Sequence, residues 1–447
     1  MGKPTRTAFA IATLSVLLLV GCGTAPTPSA VAVVPTDTPV PTPTATPALT
    51  PTATPTLTQT PSPTAPPTAT SVPTSAPAPP YAVHGPYAAG ARDFEIEDGD
   101  HSVGITVWYP ALNPDNAREE ITYHVSEKVP RSGLTVSRAD LPIKGRAIQN
   151  AVPDTVHGPY PLVIFSTGLA GFRQSSAYLL EHLATYGFVV MAADPRGETN
   201  SSCWAGAATR PIDTKLTISF ADKATAAGGT LEQLIDMEHI AVVGHSSGGW
   251  TALVGGGAQF DFGWCGAHPD FGNCPQFVPH AEEIAALLGL QAVPSGLWPP
   301  MYDRRVGAVI ALAPDGDIWG AEYEGVAVMK VPTVVMVGTE DTVSPPDQAA
   351  YPIYQHLGSA QKGLIKFENA DHFVFVIACR DASWLPTLAC SQVEWDMDRA
   401  HDLINHFATA FLLTELRGDQ EAAKALLPEN VSFAGIEYET SGFSAAK

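Results

Sequence analysis

The chain has 447 residues, of which 45% are hydrophobic, and a formal net charge of −21. Acidic residues run through the body of the sequence rather than collecting in a tail, so the charge favours solubility and excludes nucleic acid as a partner. No phosphate-cradling Gly-rich run, no paired Cys-x-x-Cys and no His-Glu-x-x-His occurs, so neither a cofactor nor a metal is expected.

Lys3 and Arg6 precede an apolar stretch from Ala8 to Val20 that ends in Leu19-Val20-Gly21-Cys22. A charged start, a short apolar run and a small residue before cysteine make residues 1–22 similar to a bacterial lipoprotein signal. The run is too short for an ordinary spanning helix. On this reading Cys22 becomes a lipid-bearing N-terminus facing the outside of the cytoplasm. An ordinary secretory signal is the alternative, and it exports the chain equally. Residues 23–80 are almost entirely Pro, Thr, Ala, Ser and Val, with one charge at Asp37. Proline removes backbone donors, and too few large apolar residues remain to offset the entropy of folding. A disordered stalk is predicted, reaching on the order of 150 Å at about 3.1 Å per residue if extended as polyproline II.

Residues 81–447 alternate between short β-branched runs and helical stretches. Ser102–Tyr109 alternates in polarity and predicts an antiparallel opening strand. Leu162–Phe165, Phe188–Ala192, Ile240–Val243, Val306–Ala313 and Thr333–Val337 are solid apolar runs of the buried-strand type, and Leu364–Phe367 is read as a further, final strand. Helices are predicted over Ser175–Tyr186, Leu231–Met237, Asp347–His356 and, closing the domain, Val393–Leu416. This rhythm predicts an α/β domain with a mostly parallel sheet covered on both faces. Asn113–Val156 reads as a polar excursion. Residues 259–305, with Phe260, Phe262, Trp264, Phe271, Trp298 and Tyr302, read as an insertion placed to cap a site; a loop-rich segment with its own small core is the plainer reading.

Export gives the cysteines an oxidising context. Short loops favour Cys265 with Cys274 and Cys379 with Cys390; Cys203 is left over and competes for the first pair.

The run Ile240–Val243 leads into Gly244-His245-Ser246-Ser247-Gly248 and then a helix-compatible stretch from Gly249 to Leu253. A strand, a sharp turn and a helix project a serine hydroxyl from the turn, making Ser246 the candidate nucleophile. A serine needs a base, and the base needs an acid to orient it. Asp341 follows the strand at Thr333–Val337 and is the candidate acid, with Glu340 as its substitute. His372 follows the run at Leu364–Phe367 and is the candidate base; His280, His356, His401 and His406 read as solvated or helix-surface residues. The backbone N–H groups of Ser247 and of Leu169, in the Gly168–Gly171 loop, are the candidate donors to a tetrahedral oxyanion.

Pro161-Leu-Val-Ile-Phe-Ser-Thr-Gly-Leu-Ala-Gly-Phe-Arg173, Gly244-His-Ser-Ser-Gly-Gly249, Gly338–Val343, Ala370-Asp-His372 and the opening Gly85-Pro-Tyr87 and Thr106–Pro110 together resemble the platelet-activating factor acetylhydrolase and dienelactone-hydrolase-like branch of α/β-hydrolases. Bacterial polyesterases and cutinase-like lipases share parts of the pattern. The resemblance spans residues 83 to 420 and implies Ser246, Asp341 and His372 as a triad, with Leu169 and Ser247 as oxyanion amides. It departs at Thr167-Gly168, where the group often carries His-Gly, and Ser246 argues against the cysteine chemistry of dienelactone hydrolases proper. The implied activity is hydrolysis of a lipid or short-chain ester; an amidase on the same triad and an inactive surface-binding module are the alternatives.

Overall fold

The computed structural model describes residues 78–99, 101–131, 134–169, 171–196, 203–269, 274–316, 318–378, 380–382 and 395–444. The expectations for the signal, for Cys22, for the stalk up to residue 77 and for the Cys379–Cys390 bridge fall outside them.

The strands are β1 (Ala88–Asp98), β2 (His101–Ala111), β3 (Ile121–Arg131), β4 (Leu134–Gly145), β5 (Ile148–Gln149), β6 (Tyr160–Ser166), β7 (Val189–Ala193), β8 (Ile235–His245), β9 (Val306–Leu312), β10 (Thr333–Gly338), β11 (Lys362–Phe367) and β12 (Ile436–Ser441). Ten of them form one sheet in the order β12-β11-β10-β9-β8-β6-β7-β2-β1-β5, and β3 pairs with β4 alone. From β11 through β7 every neighbouring pair is parallel, while β12, β2 and β1 join antiparallel. The solid apolar runs have a simple cause: successive side chains point to opposite faces, and both faces are covered. On β6, Val163 and Phe165 enter the core on one face, and Leu162 and Ile164 the core on the other.

The helices are α1 (Ala177–Thr185), α2 (Gly206–Thr225), α3 (Ser247–Gly255), α4 (Phe262–Ala267), α5 (Cys274–Phe277), α6 (Ala281–Leu287), α7 (Glu324–Ala327), α8 (Ala350–His356), α9 (Met397–Arg417) and α10 (Gln420–Ala425). The carboxylate of Asp396 opens α9 by accepting the N–H groups of Asp398 and Arg399, and the helix buries a broad apolar face against the sheet. No helix among the described residues is long and apolar enough to cross a membrane.

Several expectations are corrected. Leu231–Met237 is a turn followed by the start of β8, because its backbone pairs with β6. The polar excursion contains the β3–β4 hairpin, and α9 does not close the domain: α10 and β12 follow it. The long helix α2 fills the interval before β8. Between α3 and β9, Phe260, Phe262 and Trp298 are fully buried in the main core, with Phe260 stacked on Trp250 and Trp298 edge-on to Phe262. Trp264 is partly buried and stacks on His268. A disulfide joins Cys265 to Cys274 in this segment.

Candidate active site

Ser246 sits between the end of β8 and the first residue of α3, with φ 58° and ψ −125°. A non-glycine side chain rarely holds that backbone, and a strained residue at a strand-to-helix turn projects its side chain away from both elements. The flanking glycines make the turn possible by their size. A Cβ on Gly244 would lie 2.1 Å from the Gly248 carbonyl oxygen, and one on Gly248 would lie 2.0 Å from that of Ser166. Neither position has room for any other residue.

Asp341 and His372 come from the loops after β10 and β11, neighbouring parallel strands, and meet at the same sheet edge. His372 Nδ1–H donates to Asp341 Oδ2 at 2.7 Å, and both side chains are buried. Asp341 Oδ1 accepts the N–H groups of Val343 at 2.9 Å and Ser344 at 2.8 Å, which locks the carboxylate's orientation. The proton on Nδ1 leaves the Nε2 lone pair open for proton transfer. Glu340 is exposed, whereas Asp341 is buried and faces the imidazole. Asp371 accepts the N–H of Phe373 and shapes the short turn that carries His372.

His245, inside the Gly-rich motif, packs its ring on His372 with centroids 4.7 Å apart, and its Nε2–H donates to the His372 carbonyl at 3.0 Å. Burial first, and then the neighbouring imidazole, push its pKa down to about 3, so it stays a neutral strut. Ser246 follows directly, nearly buried, and its Oγ makes no hydrogen bond among the described residues. The N–H groups of Leu169 and Ser247 likewise have no acceptor among the described residues. Gly168 lies over the serine: a Cβ there would be 3.3 Å from Ser246 Cβ.

Two family models match the chain. One describes platelet-activating factor acetylhydrolase, isoform II, and covers residues 75–225; the other describes PET hydrolase-like proteins and covers residues 301–411. Both are ester-hydrolase families of the same fold type, and the sheet order above carries the site at its strand ends. The chain has the α/β-hydrolase fold. The first match includes the Gly168 loop and the second includes Asp341 and His372, while Ser246 falls between them. The two families indicate an ester hydrolase acting on a small-molecule or lipid ester. No curated protein matches the chain.

One further carboxylate of the candidate site is not predicted from the sequence. Asp315 lies just beyond β9, the strand beside the one that leads into Ser246. Its Oδ2 accepts from Ser247 Oγ and its Oδ1 from Ser344 Oγ, each at 2.7 Å. It thereby joins the residue after Ser246 to the loop that carries Asp341. The rule that singled out Asp341, a carboxylate just past a parallel strand, singles out Asp315 equally, but its partners are side chains from two distant segments.

Proposed function

We propose that the chain is a serine carboxylic-ester hydrolase that works through an acyl-serine intermediate. The observation that carries the reading is the buried His372–Asp341 pair at the sheet edge where the strained Ser246 turn lies. Ser246 Oγ attacks the ester carbonyl as His372 Nε2 takes its proton, a contact that tightens when substrate binds. The N–H groups of Leu169 and Ser247 hold the oxyanion of the tetrahedral intermediate. Collapse breaks the bond to the leaving alcohol, which receives the proton from His372. Water then attacks the acyl-serine with His372 again as base, releasing the acid and restoring Ser246.

Ser246→Ala abolishes hydrolysis of p-nitrophenyl acetate and butyrate on this reading; turnover retained in a pure variant contradicts it. An acyl-chain-length series tests whether residues 259–305 bound the acyl pocket, and matched ester and anilide substrates separate an esterase from an amidase.

The N-terminal pattern supports an exported protein, lipid-anchored at Cys22 and held off the membrane by residues 23–80, with one catalytic domain over 81–447. Cys22→Ala then leaves the detergent phase on partitioning; a variant that stays there contradicts the lipid anchor.

A further inference from the structure

The loop that carries Leu169 is held from behind by a buried cation. Arg210, on α2, is 4% exposed and reaches the loop with both guanidinium arms. One Nη donates to the Thr167 carbonyl at 2.5 Å, and the other donates to the Gly168 carbonyl at 3.2 Å. The Gly168 carbonyl also accepts the N–H of Gly171 at 3.0 Å.

The Gly168 carbonyl and the Leu169 N–H belong to one planar trans peptide unit, in which the C=O and N–H point in opposite directions. Gripping the oxygen from the α2 side therefore aims the N–H away from α2. Gly168 itself packs against Ser246, as the 3.3 Å approach above requires. Hydrogen bonds from an ionised donor are shorter and stronger than neutral ones, and drawing electron density onto a carbonyl oxygen makes the N–H of the same amide a better donor. The effect is greatest where solvent is excluded, and Arg210 is buried.

We infer that Arg210 is a positioning residue for ester hydrolysis: it fixes and polarises the Gly168–Leu169 peptide so that the Leu169 N–H stands preorganised to receive the oxyanion. The inference rests on the serine-esterase reading for its catalytic consequence, but the peptide clamp is a structural fact that can be tested apart from it. Preorganised donors act on charge that develops only in the transition state, so their loss lowers kcat and leaves KM nearly unchanged.

The test uses the full chain with 15N-labelled leucine, in wild type, Arg210→Met and Arg210→Lys. In Arg210→Met the Leu169 amide resonance moves from its wild-type position, and kcat on p-nitrophenyl acetate falls about tenfold to a hundredfold with KM within about twofold. Arg210→Lys keeps the charge but offers a single ammonium in place of two arms, and it restores part of both. Should Arg210→Met not fold, Arg210→Lys is read in the same way against wild type. A Leu169 resonance that stays in place overturns the inference whatever the rate. If wild type itself hydrolyses no ester, the esterase reading falls, and the Leu169 resonance still decides the clamp.

Discussion

Two sets of buried histidines show what a partner does to an imidazole. At the candidate active site, His372 faces the carboxylate of Asp341. Around α1 and α9, His182, His401 and His406 bind only backbone: His182 Nε2 donates to the Tyr81 carbonyl at 2.8 Å, His401 Nε2 donates to that of Val376 at 2.9 Å, and His406 Nδ1 accepts the Tyr81 N–H at 3.3 Å. Burial pushes the pKa of His401 down to about 3 and those of His182 and His406 to about 4. These three are neutral pegs. His182 and His406 pin Tyr81, near the start of the described residues. His401, stacked on Tyr178 at 3.4 Å, secures the segment just after the turn that carries His372. A carboxylate partner lets a buried ring accept a proton in a reaction cycle, whereas a backbone carbonyl partner uses the ring only as scaffold.

The contrast can be broken most sharply by removing one ring from each set. His372→Ala is expected to lower kcat by on the order of 10⁴-fold to 10⁶-fold. His401→Gln, whose amide can still donate to the Val376 carbonyl, should keep kcat within about tenfold, below the range seen for loss of an oxyanion donor. Equal losses in the two variants, measured on p-nitrophenyl butyrate, would erase the distinction. Asp341→Asn leaves the ring without the acceptor that selects its tautomer and should cost on the order of 10⁴-fold in kcat.

Asp315 sharpens the comparison from the acid side. Its carboxylate holds two hydroxyls and no imidazole, so it orders rather than ionises the site. Asp315→Asn keeps one acceptor oxygen and is expected to lower kcat about tenfold, short of the roughly 10²-fold that loss of an oxyanion donor costs. A loss as large as that of Asp341→Asn would make Asp315 part of the proton-transfer system instead.

The pegs also set a pH dependence of stability. In the unfolded chain these imidazoles take up protons near their ordinary value of 6.5, while in the native state they resist until about 3 to 4. Between those values the unfolded state binds more protons, so stability is fully present above pH 6.5 and falls as pH drops through the window. At pH 4 one such group costs about 3 kcal/mol. The expected result is a Tm that declines from pH 7 to pH 4, with a shallower decline in His401→Gln. A slope unchanged by that substitution would show that other groups govern the acid limb.

Much of this was readable in the sequence, and the misses have physical causes. The parallel strands were legible because burial on both faces demands unbroken apolar runs. β12 alternates between half-buried and exposed residues at the sheet edge, and the β3–β4 hairpin pairs only with itself, so neither carries that signal. α2 mixes buried Thr, Asp and Arg with apolar residues and contains Pro211, which erases the helical stripe. At the candidate site, the meeting of Asp341 with His372 beside the Ser246 turn was legible because chain order and strand ends specify it. His401 and His406 read as surface residues, since nothing local to α9 reveals that Tyr178 and Tyr81 cover them. Asp315 and Arg210 act on loops distant in sequence, and only the folded chain brings those loops to them.

Ser246, on the proposed function, is a nucleophile armed by His372. That role is tested most directly by treating the full chain with a fluorophosphonate probe and locating the adduct by peptide mass spectrometry. A single adduct is expected on Ser246, absent in Ser246→Ala and strongly slowed in His372→Ala but present in His401→Gln. An adduct on another serine, or labelling of Ser246 that does not depend on His372, would contradict it.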